Sequence, residues 1–246
     1  MESFGKNDIS IQTQIIAKEH GISPETPVYR ALHPVMICEK IGDKYLIRGN
    51  KDNGTAVYDD YGEAERRTRA SGLPEPGLNF TKEKSDNYVS DSRRSVVSMK
   101  MADQPAGLRI YQDVGSEERS VYFTLPEDKY FVVTLEKSDP GEIELSLEIH
   151  KLMKELDVKD EPVYRDFIKG GKDGYRVLEW LKDGFEVHFI RSGSNELTIN
   201  HFKVREGMDK SKVQELAIKR LLMELKDLKK IIGFDGKDVV LTSKNN

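Results

Sequence analysis

The sequence predicts an α+β fold, and two distributions of residues carry that prediction. Glycine and proline concentrate between residues 42 and 77, among short segments rich in β-branched and aromatic residues. Leucines at helical spacing gather after residue 145, where Leu145, Ile149, Leu152 and Leu156 follow one another at intervals of three or four residues. We therefore expect a β-rich part first and helices later in the chain.

Composition and charge exclude several classes of protein. Of the 246 residues, 37% are hydrophobic, which is enough for real cores. The apolar runs are far shorter than the roughly 20 residues of a membrane helix, so we expect no membrane association. The net charge of −4 speaks against a surface that grips nucleic-acid phosphates. Cys38 is the only cysteine, which excludes an intramolecular disulfide and a cysteine metal cage.

The N-terminal segment predicts a cytoplasmic protein that begins with a helix. It lacks a basic region followed by an apolar segment, so no ordinary secretory signal is expected, while leaderless export or injection into a target cell stays open. Asp8 is placed to cap a helix that runs to His20, and Gly21 supplies a left-handed stop. A strand over Val28–Leu32 follows the next two prolines.

The middle of the chain is predicted to consist of strands around a long polar stretch. Residues 35–41 and 44–47 form a hairpin around Gly42. Residues 48–91 are polar and rich in glycine, and a stretch of this length is typical of functional or mobile segments. Within it we expect short strands at 55–58 and 78–80 and helical turns at 63–70. Four further strands are predicted at 95–101, 108–114, 120–125 and 130–136. The last begins with an apolar run, typical of a central strand covered on both faces.

Residues 139–156 carry two competing patterns. Asp139 as cap, Pro140 as first helical residue and Glu142 three positions after the cap predict a helix. The alternation of Ile143, Leu145, Leu147 and Ile149 is also that of a strand. The helix is preferred because the cap agrees with the apolar stripe that continues to Leu156, and the strand remains the alternative.

The last third predicts a small helix–hairpin–helix unit. We expect a short helix at 175–182, a hairpin of 185–191 with 196–204, and a long helix from about 209 to 232. A boundary near residue 158 then separates a β-rich domain, 1–158, from a small α+β domain or extension, 159–246.

Most catalytic and metal motifs are absent from the sequence. It contains no GxxxxGK[ST], GxGxxG or GxSxG. His188 and His201 lie on the two strands of a predicted hairpin. The best hydrophobic register of their hairpin pairs Val187 with Ile199, which puts the two histidines on opposite faces. We therefore expect no metal site.

Arg30 is the residue that stands out, because it lies inside an otherwise apolar strand. A buried arginine is costly unless its guanidinium meets a carboxylate or a phosphate. Two interpretations stay open. Arg30 is either a strand-edge arginine paired with an aspartate, or it binds an anionic ligand in a cleft.

Three short segments resemble a known toxin family. They are Tyr29-Arg30-Ala31, Gly54-Thr55-Ala56-Val57-Tyr58-Asp59 and Leu73-Pro74-Glu75-Pro76-Gly77-Leu78. Together they are similar to a small family delivered by bacterial type VI secretion, whose fold is related to ADP-ribosyltransferases. Ala56 stands where that family has a serine. The resemblance covers less than a third of the chain.

The resemblance implies an ADP-ribosyltransferase-like N-terminal part with NAD as cofactor. Arg30, Tyr29 and Thr55 would then bind NAD, and Glu142 or Glu144 would stabilise the positive charge that develops as nicotinamide leaves. The chain would be a bacterial toxin or effector that modifies a cytoplasmic target, with a target or immunity protein as partner. The alternative is a non-catalytic interaction or immunity-like protein that binds a partner protein.

Overall fold

The computed structural model describes ten segments of the chain, and it divides the chain into two compact units. The segments are residues 11–48, 78–80, 93–112, 121–126, 129–159, 162–169, 173–180, 185–191, 196–232 and 240–243. The units are Met1–Ile143 and Glu144–Asn246. This division lies earlier in the chain than the domain boundary near residue 158 that the sequence predicts.

The described residues of unit 1 form two antiparallel sheets. A five-stranded sheet has the order β1-β5-β8-β3-β2, and a three-stranded sheet has the order β4-β7-β6. The strands are β1 Val28–Leu32, β2 Ile37–Ile41, β3 Lys44–Arg48, β4 Leu78–Phe80, β5 Ser95–Met99, β6 Arg109–Gln112, β7 Val121–Thr124 and β8 Tyr130–Lys137.

Aromatic rings join the two sheets of unit 1. The ring of Phe80 on β4 lies edge-on to that of Phe123 on β7, with centroids 5.4 Å apart. The same Phe80 ring lies 5.6 Å from the ring of Phe131 on β8. Phe131 is fully buried, and so is Val97 on the neighbouring strand β5. The face of the large sheet that carries these residues is therefore the core face.

Strand β8 is central, as the sequence predicts, but its two faces are not equally covered. Phe131 and Val133 are buried, whereas Tyr130 is 39% exposed. The expectation of a strand covered on both faces is therefore wrong. An apolar run in an antiparallel sheet does not require two buried faces, because one face of such a sheet can meet solvent.

The predicted hairpin of unit 1 begins later than the sequence indicates. Pro34–Met36 form a 3₁₀ turn, and the strand starts at Ile37. The Nδ1 atom of His33 caps this turn by accepting a hydrogen bond from the Val35 N–H, at 3.2 Å. Gly42 has φ 61° at the hairpin turn, a conformation that suits glycine.

Gln104 takes the place of a strand partner beside β8. Strand β5 ends at Met99. Beyond it, the Val132 N–H donates to Gln104 Oε1 at 2.8 Å, and Gln104 Nε2 donates to the Val132 carbonyl at 2.9 Å. The same Nε2 donates to the Lys100 carbonyl at 2.8 Å. A fully buried side-chain amide thus completes the backbone hydrogen bonding of the central strand.

The first helix, α1, spans Ile11–Glu19 and packs near β6. Gly21 follows it with φ 62°, which confirms the predicted left-handed stop. The predicted cap Asp8, the predicted strand at 55–58 and the helical turns at 63–70 lie outside the described residues.

Residues Pro140–Glu155 form a helix, α2, so the strand alternative for this segment is wrong. Asp139 caps it, because its Oδ1 accepts a hydrogen bond from the Gly141 N–H at 2.9 Å. Ile149 and Leu152 lie on the buried side, as the apolar stripe predicts. The division between the two units falls in the first turns of this helix.

Unit 2 contains a second five-stranded sheet, with the order β13-β12-β11-β10-β9. Its outermost strand β13 runs parallel to β12, and the other pairs are antiparallel. The strands are β9 Val163–Lys169, β10 Asp173–Trp180, β11 Phe185–Arg191, β12 Glu196–Lys203 and β13 Val240–Ser243.

This sheet corrects the predicted helix–hairpin–helix architecture of the C-terminal part. The segment expected as a short helix at 175–182 instead contributes the strand β10, which pairs with β9 on one side and β11 on the other. The apolar residues Val177, Leu178 and Leu181 fit a helical pattern over a short window, but pairing along two strands outweighs that weak local preference. The α+β class itself is confirmed.

The predicted register of the β11–β12 hairpin is also wrong. Val187 pairs with Phe202, and His188 lies directly opposite His201. The register then shifts, so that Phe189 pairs with Ile199 and leaves one extra residue in β12. The two histidines, expected on opposite faces, therefore occupy facing register positions.

Two helices of unit 2 run antiparallel and are joined by ion pairs. Helix α3 spans Lys210–Ile232. Its Lys212 Nζ lies 2.8 Å from Glu155 Oε2, and its Lys219 Nζ lies 2.7 Å from Glu148 Oε2. The earlier lysine of α3 pairs with the later glutamate of α2, and the later lysine pairs with the earlier glutamate. The two helices therefore run antiparallel. No helix among the described residues has the length and apolar character needed to cross a membrane.

We expect Gln104→Leu to destabilise the protein by about 2–4 kcal/mol, because it leaves the buried N–H and carbonyl of Val132 without their partner. Urea unfolding measures the change. Gln214→Leu, at a half-buried position on α3, is the matched control and should change the free energy of unfolding by less than about 0.5 kcal/mol. Equal effects of the two variants would contradict the role of Gln104.

We expect the helix pair of unit 2 to lose stability in acid. The hydrogen bond from Lys212 lowers the pKa of Glu155 below its ordinary 4.5. A carboxyl with a lowered pKa in the folded state stabilises fully above 4.5 and loses that contribution as pH falls through the lower value. Urea midpoints measured from about pH 6 to about pH 3 should fall less steeply in Lys212→Gln than in the exposed control Lys210→Gln. Identical acid profiles would refute the prediction.

Candidate anion-binding site

Arg30 lies on the core face of the large sheet of unit 1. In β1 it stands opposite Val97 of β5, and directly opposite residues of an antiparallel pair share one face. Val97 is fully buried, as are Val28 and Leu32, which flank Arg30 at the alternate positions of its strand. The Nε atom of Arg30 is buried, although the residue as a whole is half-buried. The arginine that stands out in the sequence is thus a positively charged residue of β1 that faces the interior.

The surroundings of Arg30 disfavour its charge. The pKa of Arg30 is lowered to about 10, mainly by burial and also by the positive charge of Arg93, while Tyr122 acts in the opposite direction. A shift of this size corresponds to roughly 3 kcal/mol against the charged form. Because a pKa of about 10 is still well above neutral pH, Arg30 remains a cation at physiological pH.

Ser95 lies on the same face as Arg30. It stands opposite Leu32 in β5, two residues from Val97, which makes it the diagonal neighbour of Arg30 across the strand pair. The residue is fully buried, and within the described part of the chain its Oγ has no hydrogen-bond partner. A buried hydroxyl in this state costs about 1–3 kcal/mol. Two polar groups with unfavourable environments thus occur side by side on one face.

Arg94, between Arg93 and Ser95, is held by an acid. Its Nε donates to Glu142 Oε1 at 2.8 Å, and the two side chains are only 11% and 12% exposed. This half of the basic dipeptide Arg93-Arg94 is therefore tied to the start of α2. The other half, Arg93, is exposed and acts on Arg30 through its charge.

Of the two other predicted NAD-binding residues, the structure describes only Tyr29, which does not share the face of Arg30. Tyr29 precedes it in β1, and successive residues of a strand face opposite sides of the sheet. Thr55 lies outside the described residues. The roles of Arg30, Tyr29 and Thr55 in binding NAD stay predictions.

The two predicted catalytic acids occupy a helix. Glu142 is paired with Arg94, and Glu144 is exposed. Residues two positions apart on an α-helix point about 200° apart, so these carboxylates do not line one pocket. Their catalytic roles stay predictions.

Ser95 is a site residue that the sequence does not reveal, because a serine at the start of a strand gives no signal of its own. The pair Arg93-Arg94 could contact phosphates, but the sequence alone favours solvated loop charge. The relevant fact is the pairing of β1 with β5, which brings Ser95 beside Arg30 from a distant part of the chain. A second serine, Ser98, donates to Glu136 at 2.5 Å, but it lies on the opposite face of β5 and does not contribute to the site.

The hydrogen-bond donors at this site, the guanidinium of Arg30 and the hydroxyl of Ser95, suit an anion better than a metal ion. Guanidinium and hydroxyl groups donate hydrogen bonds to phosphate oxygens, and the guanidinium does so in a fixed fork. Among the described side chains, no group of three or more histidine, cysteine, aspartate or glutamate residues is placed to hold a metal ion.

Comparisons of the chain with protein-family models, with curated proteins and with solved structures give no match. The class that the fold and the site define is thus an α+β protein with an arginine on the core face of a two-sheet unit.

We expect Arg30→Met to stabilise the ligand-free protein by about 1–3 kcal/mol, because a similar-sized apolar side chain replaces a disfavoured charge. The folded-state pKa is below the unfolded one, so the wild-type deficit is present below about pH 10 and shrinks as pH rises through the ordinary pKa of arginine. Thermal unfolding of wild type, Arg30→Met and the exposed control Arg205→Met measures it. A destabilised Arg30→Met would show that Arg30 is a structural residue.

Proposed function

We propose that unit 1 binds a phosphate-bearing nucleotide through Arg30, and that NAD is the ligand, as in the toxin family that the sequence resembles. The observation that carries the proposal is a cation held on the core face at a cost to stability. Proteins retain such unfavourable groups at functional sites, where the ligand repays the cost.

The site residues match a diphosphate. The fork of Arg30 suits two phosphate oxygens, and Arg93 supplies a second positive charge close enough to lower the pKa of Arg30. The Ser95 hydroxyl supplies a donor on the same face. An anion placed here would favour the charged form of Arg30 and would satisfy the Ser95 hydroxyl, so binding would relieve both costs.

The rest of the toxin hypothesis rests on the resemblance. It comprises an ADP-ribosyltransferase-like arrangement of unit 1, NAD contacts from Tyr29 and Thr55, and catalysis by Glu142 or Glu144. The chain would then act as a bacterial effector on a cytoplasmic target, with a target or immunity protein as partner. The two antiparallel sheets of unit 1 and the early strand that carries Arg30 support this hypothesis at the level of architecture.

A non-catalytic binding protein is the second candidate, and one observation favours it. Glu142 is already paired with Arg94, and Glu144 is exposed on a helix, which does not favour either carboxylate as the catalytic acid. On this alternative the site binds a nucleotide or the phosphate of a partner, without cleaving the bond to nicotinamide.

Calorimetry with NAD and with ADP tests the binding proposal. We expect saturable binding by the wild type, a loss of at least about tenfold in Arg30→Met and a smaller loss in Ser95→Ala, because a charged hydrogen bond contributes more than a neutral one. Arg205→Met is the matched control and should bind as the wild type does. Failure of the wild type to bind either nucleotide, or full binding by Arg30→Met, would reject the proposal.

Expression in bacteria separates the two candidates. We expect a catalytic toxin to arrest growth and consume NAD, with both effects lost in Arg30→Met. Glu144→Gln tests catalysis with little structural cost, since Glu144 is exposed. Nucleotide binding without growth arrest or NAD loss would favour the non-catalytic protein.

A further inference from the structure

The ion pair between Arg94 and Glu142 lies next to the candidate anion-binding site. Arg94 stands between Arg93 and Ser95 in the chain, and consecutive Cα atoms are only about 3.8 Å apart. Ser95 belongs to the site, and the charge of Arg93 contributes to lowering the pKa of Arg30. A charge at position 94 is therefore close enough to attract or repel an anion that is bound to Arg30.

The sheet brings the start of helix α2 to this place. Strand β8 ends at Lys137, which pairs with Val96 near the start of β5. The helix begins at Pro140, shortly after the end of that strand, and Glu142 lies in its first turn. The start of β5 and the start of α2 are thus at the same end of the sheet, which explains how Arg94 meets an acid from a distant part of the chain.

The pair of Arg94 and Glu142 is largely removed from water. The Nε atom of Arg94 donates to Oε1 of Glu142 at 2.8 Å, and the two side chains are 11% and 12% exposed. Opposite charges interact more strongly in such surroundings than in bulk water. The carboxylate of Glu142 therefore offsets the positive charge that Arg94 would otherwise add beside the site.

We propose that Glu142 is a specificity-determining residue, which offsets the charge of Arg94 and so sets how negatively charged an anion the site prefers. The inference rests on the nucleotide binding proposed for Arg30. With Arg94 offset, the site suits a diphosphate whose two phosphates are both esterified, as in NAD. ADP ends in a free phosphate group and carries more negative charge. This role differs from that of a catalytic acid, which the resemblance implies for Glu142.

Calorimetry with NAD and with ADP, on the wild type and on Glu142→Gln, tests the inference. Glutamine keeps an oxygen that accepts the hydrogen bond from Arg94, and it removes only the charge. We expect the ratio of ADP affinity to NAD affinity to rise at least about threefold, because an added positive charge attracts the more negative ligand more strongly. A variant that had only lost folded protein would weaken the binding of both nucleotides by the same factor.

The opposite change and a matched control complete the experiment. Arg94→Gln removes the positive charge and keeps that of Glu142, so the ratio should fall below that of the wild type. The double variant Arg94→Gln/Glu142→Gln should return the ratio to the wild-type value. Glu39→Gln removes an exposed charge on β2, at the opposite edge of the sheet from β1, and should keep the wild-type ratio. If one single variant does not fold, the other carries the test.

The two proposals fail in different ways. Nucleotide binding with the same ratio in the wild type, Glu142→Gln and Arg94→Gln would overturn this inference and leave the nucleotide site in place. Loss of NAD consumption in Glu142→Gln with an unchanged ratio would overturn it too, and would assign Glu142 to catalysis. If the wild type binds neither nucleotide, the proposed function is rejected and this inference with it.

Discussion

The packing of Phe131 against Phe80 is the contact on which the arrangement of unit 1 depends. It joins the central strand of the large sheet to the small sheet, and so decides which face of the large sheet is interior. Strand β8 pairs with β5, and β5 pairs with β1, so residues that stand opposite one another along these pairs lie on the same face of the sheet. The contact between Phe131 and Phe80 therefore also determines that Arg30 and Ser95 face the interior. A slip of one residue in either pairing would exchange the two faces, and the site would be lost with the core.

Much of unit 1 could be predicted from its sequence because local and tertiary preferences agree there. The β2–β3 hairpin turns at Gly42, and Asp139 and Pro140 define the start of α2 without any tertiary information. Arg30 could be singled out because a cation in an apolar strand is a local anomaly. Ser95 could not be singled out in this way. Its importance comes from the pairing of its strand with one far away in the chain, and from a buried hydroxyl whose unsatisfied state only the folded structure shows.

Unit 2 was harder to predict because its strands depend on their neighbours. The residues of β10 fit a helix over one short window, and only the pairing with β9 and β11 decides against it. The register of the β11–β12 hairpin depends on a bulge of a single residue, and hydrophobic matching alone favours a regular ladder. One such residue is enough to change which histidines face each other.

The helix α2 limits how the protein can be dissected. A fragment that ends at Ile143 would keep Glu142 but only the first turn of the helix that positions it. A single turn is not stable alone, since helix nucleation is costly and isolated helices need about 12–15 residues. The largely buried Arg94 guanidinium would then lose its ordered ion pair with Glu142 in the truncated product. The boundary between the two compact units is therefore unsuitable as the end of a truncated protein. A stable fragment of unit 1 has to include the whole of α2.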